Sequence, residues 1–237
     1  MLGHVNFKYL NILVKEQLVT GIPKEFEQEF LKYRLCIESK MHNLPFKNIR
    51  TKAREIMEII HTVVCGPFKT TGFNEEKYFI SFIDDYSKIA RIYCIKSKGE
   101  VFDCFVQFVN EAENLTGKKL KILRCYNRKE YLNNQIYKFA RDKGIKINNC
   151  PTYVHELNET AERYNRTVMD MARCLLAEVH KRYWPEIVCI AVYLKNRILA
   201  NTIERKTPFE IFFGRKPSVE NLHLYGSNVF VRTKESF

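Results

Sequence analysis

The chain has 237 residues, 46% hydrophobic and 13% aromatic, which is enough for one sizeable domain with a smaller segment at an end and excludes global disorder. Thirty-nine Lys and Arg against 27 Asp and Glu leave a net charge of +12. That balance favours polyanionic partners, nucleic acid foremost, through counterion release, with a merely solvated basic surface as the plain alternative.

The N-terminus "MLGHVNFKYLNILVKEQLVTG" carries charges throughout, so no secretory signal is expected. The longest apolar run, "IVCIAVYL", falls far short of the roughly 20 residues that span a bilayer. A nuclear or cytoplasmic protein, not secreted and without a membrane partner, is the expectation. Eight cysteines (Cys36, Cys65, Cys94, Cys104, Cys125, Cys150, Cys174 and Cys189) lie scattered, mostly in apolar runs. They read as reduced core thiols rather than a disulfide framework.

Residues 1–50 are lysine-rich, with short helical patterns such as "FEQEFLKYRL" and a break at "HNLPFKN". The pattern then changes to strands. "IMEIIHTVVCGP" is a strand halted by Gly66-Pro67, and "KYFISFIDDYS" and "IARIYCIKS" are two more, joined by a hairpin turn at "DDYSK". "GEVFDCFVQFVNEAENLTG" has helical periodicity and stops near Gly117. "LKILRCY" is a fourth strand, "NNQIYKFARDKG" a short helix and "IKINNC" a fifth strand. A long helix over about 157–181 carries Ala161, Val168, Ala172, Leu175 and Val179 on one face. "WPEIVCIAVYLKNRIL" is a further helix with Pro185 in its first turn. The order β-β-β-α-β-α-β-α-α predicts an α/β fold, a mixed five-stranded sheet with helices packed on it.

Five stretches in order, "HTVVCGP" (61–67), "FIDDYSK" (82–88), "LTGKKLKILRCYN", "AERYNRT" (161–167) and "TPFEIFFGRKP", resemble the integrase of Copia-type LTR retrotransposons across nearly the whole chain. The resemblance implies a ribonuclease H-like integrase core at 51–213. A small helical segment of zinc-finger type would precede it at 1–50, and a C-terminal stub with a last strand, "NVFVR", would follow at 214–237. It also implies phosphoryl transfer on DNA. In intact family members two Asp and one Glu hold two Mg²⁺ ions, one activating the attacking hydroxyl and one stabilising the leaving oxygen.

Matched residue by residue, Glu162 stands on the family's glutamate. Thirty-five residues separate it from Tyr126 (162 − 126 − 1), the family's spacing to its second Asp, and Val63 occupies the position of the first Asp. Valine offers no lone pair, and a phenol with pKa near 10 is neutral at pH 7 and a poor ligand for Mg²⁺. Catalytic inactivity follows as an expectation, with no cofactor needed. Residual strand transfer and a non-binding remnant or scaffold are the alternatives. Asp84 and Asp85 are expected in a structural or turn role, since intact family members carry them beside a complete triad. Glu162 is also placed to pair with Arg166 at i,i+4, a bland surface role.

The family's zinc module implies two His and two Cys. Here His4 and Cys36 match, Tyr33 stands in place of one Cys, and the other His would lie before Met1; His42 is a weak substitute. Two ligands do not make a structural zinc site, so it is expected to be vestigial. The basic residues persist: Lys118, Lys119 and Lys121 around the fourth strand, Arg128 and Lys129 after it, and Arg163, Arg166 and Arg173 along the long helix. Binding of DNA or RNA phosphates is expected there, with Tyr164 available for stacking or packing and a homo-oligomer possible.

Overall fold

The computed structural model describes residues 15, 52–126, 131, 134–150, 159–177, 179–199, 206–220 and 222; for Tyr126, Cys150 and Glu159 it gives only their place in a strand or helix. The chain divides into two compact units, Met1–Ile49 and Arg50–Phe237. His4, Cys36, Arg128, Lys129 and the strand expected at "NVFVR" lie outside the described residues.

In the second unit, β1 (Ile59–Cys65), β2 (Tyr78–Asp84) and β3 (Ala90–Ile95) form an antiparallel meander. Then come α1 (Val101–Thr116), β4 (Ile122–Tyr126), α2 (Asn134–Lys143), β5 (Lys146–Cys150), α3 (Glu159–Leu176), α4 (Trp184–Lys195) and α5 (Pro208–Phe213). The sheet order is β3-β2-β1-β4-β5, with β4 running parallel to β1 and β5 parallel to β4. The five strands expected from the sequence thus form one mixed sheet.

Both faces are covered, which is why the residues of β1 from Ile59 to Val64 are all buried, with no alternation of inward apolar and outward polar positions. Ile60, Val64, Ile80, Phe82, Leu123 and Cys125 face one core with α1, α2 and Phe212 of α5. Its centre is the stacked pair Phe82 and Phe108, ring centroids 4.5 Å apart. Val63, Phe79, Ile83, Ala90 and Ile92 face the other core, closed by α3 and α4.

Local signals set the ends. The turn from β2 to β3 closes through Lys88 N–H to Asp84 O and Asp84 N–H to Ile89 O, both 2.9 Å, with Lys88 in the left-handed region at φ 62°. Helix α1 stops at Gly117, whose φ of 67° a side chain would resist. Helix α3 ends at Leu176, short of the expected 181. Lys181–Tyr183 form a separate 3₁₀ turn, capped by His180, whose backbone leads into Pro185 in the first turn of α4.

The edge strand β3 is bracketed by a side chain. Asn196, just past α4, donates from Nδ2 to Ala90 O (2.8 Å) and accepts from Ala90 N–H at Oδ1 (3.0 Å). Both residues are buried. An amide thus occupies the place of a neighbouring strand. Asn196→Ala would leave a buried N–H and C=O unpaired and is expected to lose about 2–4 kcal/mol. Urea unfolding measures it; a loss below about 0.5 kcal/mol would mean that the bracket is dispensable.

Candidate functional site

In open α/β sheets chemistry gathers at the carboxyl ends of parallel strands. Here those strands are β1 and β4, whose last recorded pair is Thr62 with Cys125. One step further along the same register stands Val63 beside Tyr126. The sheet thus sets these two positions side by side at neighbouring strand ends. Val63 is 7% exposed and sits in the α3–α4 core with Phe79, Ala161 and Tyr164. Ala161 is fully buried and immediately precedes half-buried Glu162, so the first turns of α3 dock on β1.

The donor set does not fit a divalent cation. Val63 presents hydrocarbon, and position 126 supplies at most a neutral phenol. One carboxylate remains, Glu162, for an ion that takes oxygen ligands and sheds water reluctantly. Among the described residues no three His, Cys, Asp or Glu side chains are grouped as metal ligands.

Asp84 and Asp85 are engaged elsewhere. Asp84 Oδ1 accepts from Ser87 N–H (2.6 Å) and Ser87 Oγ (2.7 Å), and its Oδ2 accepts from Met57 N–H (2.8 Å). Burial raises its pKa above the ordinary carboxylate value, more than the Ser87 and Met57 hydrogen bonds lower it. Asp85 Oδ1 lies 2.8 Å from Lys88 Nζ and 3.3 Å from Nε2 of fully buried His61, and Oδ2 accepts from Ala53 N–H (2.9 Å). Burial pushes that carboxyl upward, but His61, Lys88 and the Ala53 amide outweigh it and hold it below the usual range. These two acids tie the β2 turn to the segment before β1.

The basic residues fall into separate groups. Lys118 and Lys121 both reach Glu55, each at 2.6 Å, and their hydrogen bonds pull the Glu55 carboxyl down to about 2. With exposed Lys119 they lie just before the amino end of β4, and even Lys121, the nearest, is roughly 16 Å from Tyr126 at about 3.3 Å per residue. Arg163, Arg166 and Arg173 are exposed on α3, and Arg173 pairs with Asp170. Only the α3 group shares an element with Glu162. Tyr164 does not face outward: it is buried, with Lys195 Nζ 5.3 Å from its ring centroid. It packs, and offers no open face to a base.

Three residues of this neighbourhood escaped the sequence reading. His61 lies between apolar residues in "IIHTVV" and marks a buried polar position in β1. Tyr131, 2% exposed, brings its hydroxyl 3.0 Å from Thr62 Oγ1 on the face of β1 opposite Val63. Arg124 is buried in β4, in register with His61. A cavity of about 430 Å³ bounded by Phe82, Ile92, Phe108, Val192, Asn196 and Phe212 touches neither Val63 nor Glu162 and belongs to another part of the fold.

The meander, the parallel strands β1, β4 and β5 and the helix docked across β1 have the ribonuclease H-like fold of integrase catalytic cores. The fold is similar to the HTLV-2 integrase catalytic core domain solved with magnesium in a trimeric form. The TM-score is 0.53 at 17% identity, covering 68% of this chain and 99% of that one. No family model matches the chain. Its sequence homologues are Pol polyproteins of plant retrotransposons. The retrovirus-related Pol polyprotein from transposon TNT 1-94 of Nicotiana tabacum is 31% identical over 231 residues, 97% of this chain. The Pol polyprotein from transposon RE2 of Arabidopsis thaliana is 27% identical over 227 residues, 95% of this chain. The chain spans 17% and 15% of those relatives' lengths. Over nearly its whole length the chain is thus similar to one stretch of retrotransposon Pol polyproteins, and it has the fold of integrase catalytic cores.

Proposed function

We propose that this chain is a Copia-type integrase core that no longer joins DNA ends but still contacts nucleic acid, in the nucleus or cytoplasm. The observation that carries this reading is Val63, closed into hydrocarbon against Ala161 and Tyr164 at the point where β1 meets the Glu162 turn. Intact enzymes of this class work through a pair of hard cations held by three acids. One acid cannot replace three, and the zinc-type segment, with His4 and Cys36 alone matching, adds no second metal.

A strand-transfer assay with recombinant protein, labelled DNA ends and Mg²⁺ or Mn²⁺ tests the first half. Product at background level, unchanged by chelator, is expected. Chelator-sensitive joining would establish the residually active transferase instead.

For the second half, the exposed arginines of α3 are the phosphate contacts on the Glu162 side. Binding of DNA or RNA should weaken steeply with salt. The Arg163→Glu, Arg166→Glu double variant should lower affinity and reduce the log–log salt slope by about 2. Fluorescence anisotropy across a salt series measures both. Wild-type protein without salt-dependent binding would favour a non-binding scaffold.

A further inference from the structure

Two thiols from distant parts of the chain meet where α4 crosses the edge of the sheet. Cys94 lies on β3, partly buried, its side chain on the α4 core face; Cys189 lies on α4 and is exposed. Cys94 Sγ is 3.7 Å from Pro185 O. Pro185 is one helical turn before Cys189, so by the helix pattern its carbonyl accepts the Cys189 N–H. A helical side chain leans toward the preceding turn, which brings the Cys189 thiol over Pro185 and onto Cys94. The Cys94 thiol thus sits against the turn of α4 that carries Cys189, close enough for the two thiols to interact. Cys104 and Cys125 are buried in the opposite core.

We infer that Cys94 and Cys189 form a two-thiol oxidation site, with Cys189 the residue attacked first and Cys94 the one that closes an intramolecular disulfide. The oxidant class is a hydroperoxide. The Cys189 thiolate attacks the outer peroxide oxygen; the O–O bond breaks, an alcohol leaves with a proton, and Cys189 becomes a sulfenic acid. Cys94 sulfur then attacks that sulfur. The S–S bond forms, the S–O bond breaks, and the hydroxyl leaves with the Cys94 proton as water. In sum, two thiols and one hydroperoxide give one disulfide, one alcohol and one water.

The environments divide the roles. The Cys94 thiol beside it holds the Cys189 thiol below its ordinary pKa, and Arg91 adds to this against burial and Glu186. That same interaction and burial push Cys94 up. An exposed thiol of lowered pKa is the first to meet a peroxide, and a neighbouring thiol resolves it. The bridge would join the edge strand to α4 across 94 intervening residues (189 − 94 − 1).

The test uses the full chain, reduced, then treated with equimolar hydrogen peroxide and mapped by mass spectrometry without reductant. The expected result is a protein two hydrogens lighter, a linked pair of peptides containing Cys94 and Cys189, and reversal by dithiothreitol. The oxidised form should melt about 10 °C higher, the scale expected for closing so long a loop. Cys189→Ser should abolish the bridge. Cys94→Ser, or Cys94→Ala if serine disturbs packing, should leave Cys189 as a sulfenic acid trapped by dimedone. Thiol loss in the wild type without this linked pair, a bridge from either cysteine to another partner, or no reaction at Cys189 would each overturn the inference.

Discussion

The Val63→Asp, Tyr126→Asp double variant is expected to be less stable than the wild type without metal and to regain that loss with Mn²⁺ or Mg²⁺. In the metal-free protein the carboxylate introduced in place of Val63 would stand among Phe79, Ala161 and Tyr164, at a position only 7% exposed. An unpaired polar group in such a place lowers stability by about 3 kcal/mol. If the strand ends still frame the family's slot, a divalent ion bridging both new carboxylates and Glu162 restores it. Saturation at about a hundredfold the dissociation constant returns about 2.7 kcal/mol. Thermal melts with Mn²⁺ and with chelator, together with calorimetric metal uptake, measure the effect. The single Val63→Asp variant should show the loss with little recovery, and the wild type should melt alike in both conditions. No uptake by a folded double variant would mean that the backbone no longer frames a site.

Asp85→Asn is the other substitution with a large expected effect, about 2–4 kcal/mol at neutral pH. It weakens the hold on buried His61, on Lys88 and on the Ala53 amide together. The pH dependence follows from the direction of its shift. The folded carboxyl sits below its unfolded value near 4, so its contribution is complete above that pH. As pH falls, the unfolded chain takes up the proton first, and stability drains until the folded carboxyl also titrates. Asp84 has the opposite sign: its folded value is raised, so stability falls as pH rises through the window between unfolded and folded values. Urea midpoints from pH 2 to 7 should show a shallower acid limb for Asp85→Asn and a steeper one for Asp84→Asn. Identical limbs in all three proteins would remove these acids from the account of acid stability.

The sheet was legible because its strands obey strong local rules: β1 has apolar residues on both faces, and "DDYSK" closes a turn whose acceptor is its own first aspartate. The slot rests on a count, thirty-five residues from Tyr126 to Glu162, to which strand register adds only that Val63 stands one step past the Thr62–Cys125 pair, beside Tyr126. Interactions reaching across the chain were not legible. Nothing near Asn196 in sequence points to Ala90, 106 residues away, and Thr62 is 69 residues from Tyr131. Tyr164 read as an aromatic on a basic helix; its place on the buried face needed the packing of α3 on β1. The thiols read as mostly internal, yet Cys174 and Cys189 are exposed. A side chain on an apolar-looking helix reaches water when its neighbours do not close over it.

The hydrocarbon seam between Val63, Ala161 and Tyr164 changes the energetic character of the whole fold. Three acids crowded at one point repel each other and make an intact enzyme's core frustrated until counter-ions arrive, a conflict tolerated for the sake of reactivity. Here the middle of the sheet cooperates with its helix unaided. On the proposed reading, folding here needs no ion to relieve such a conflict at the Val63 end of β1.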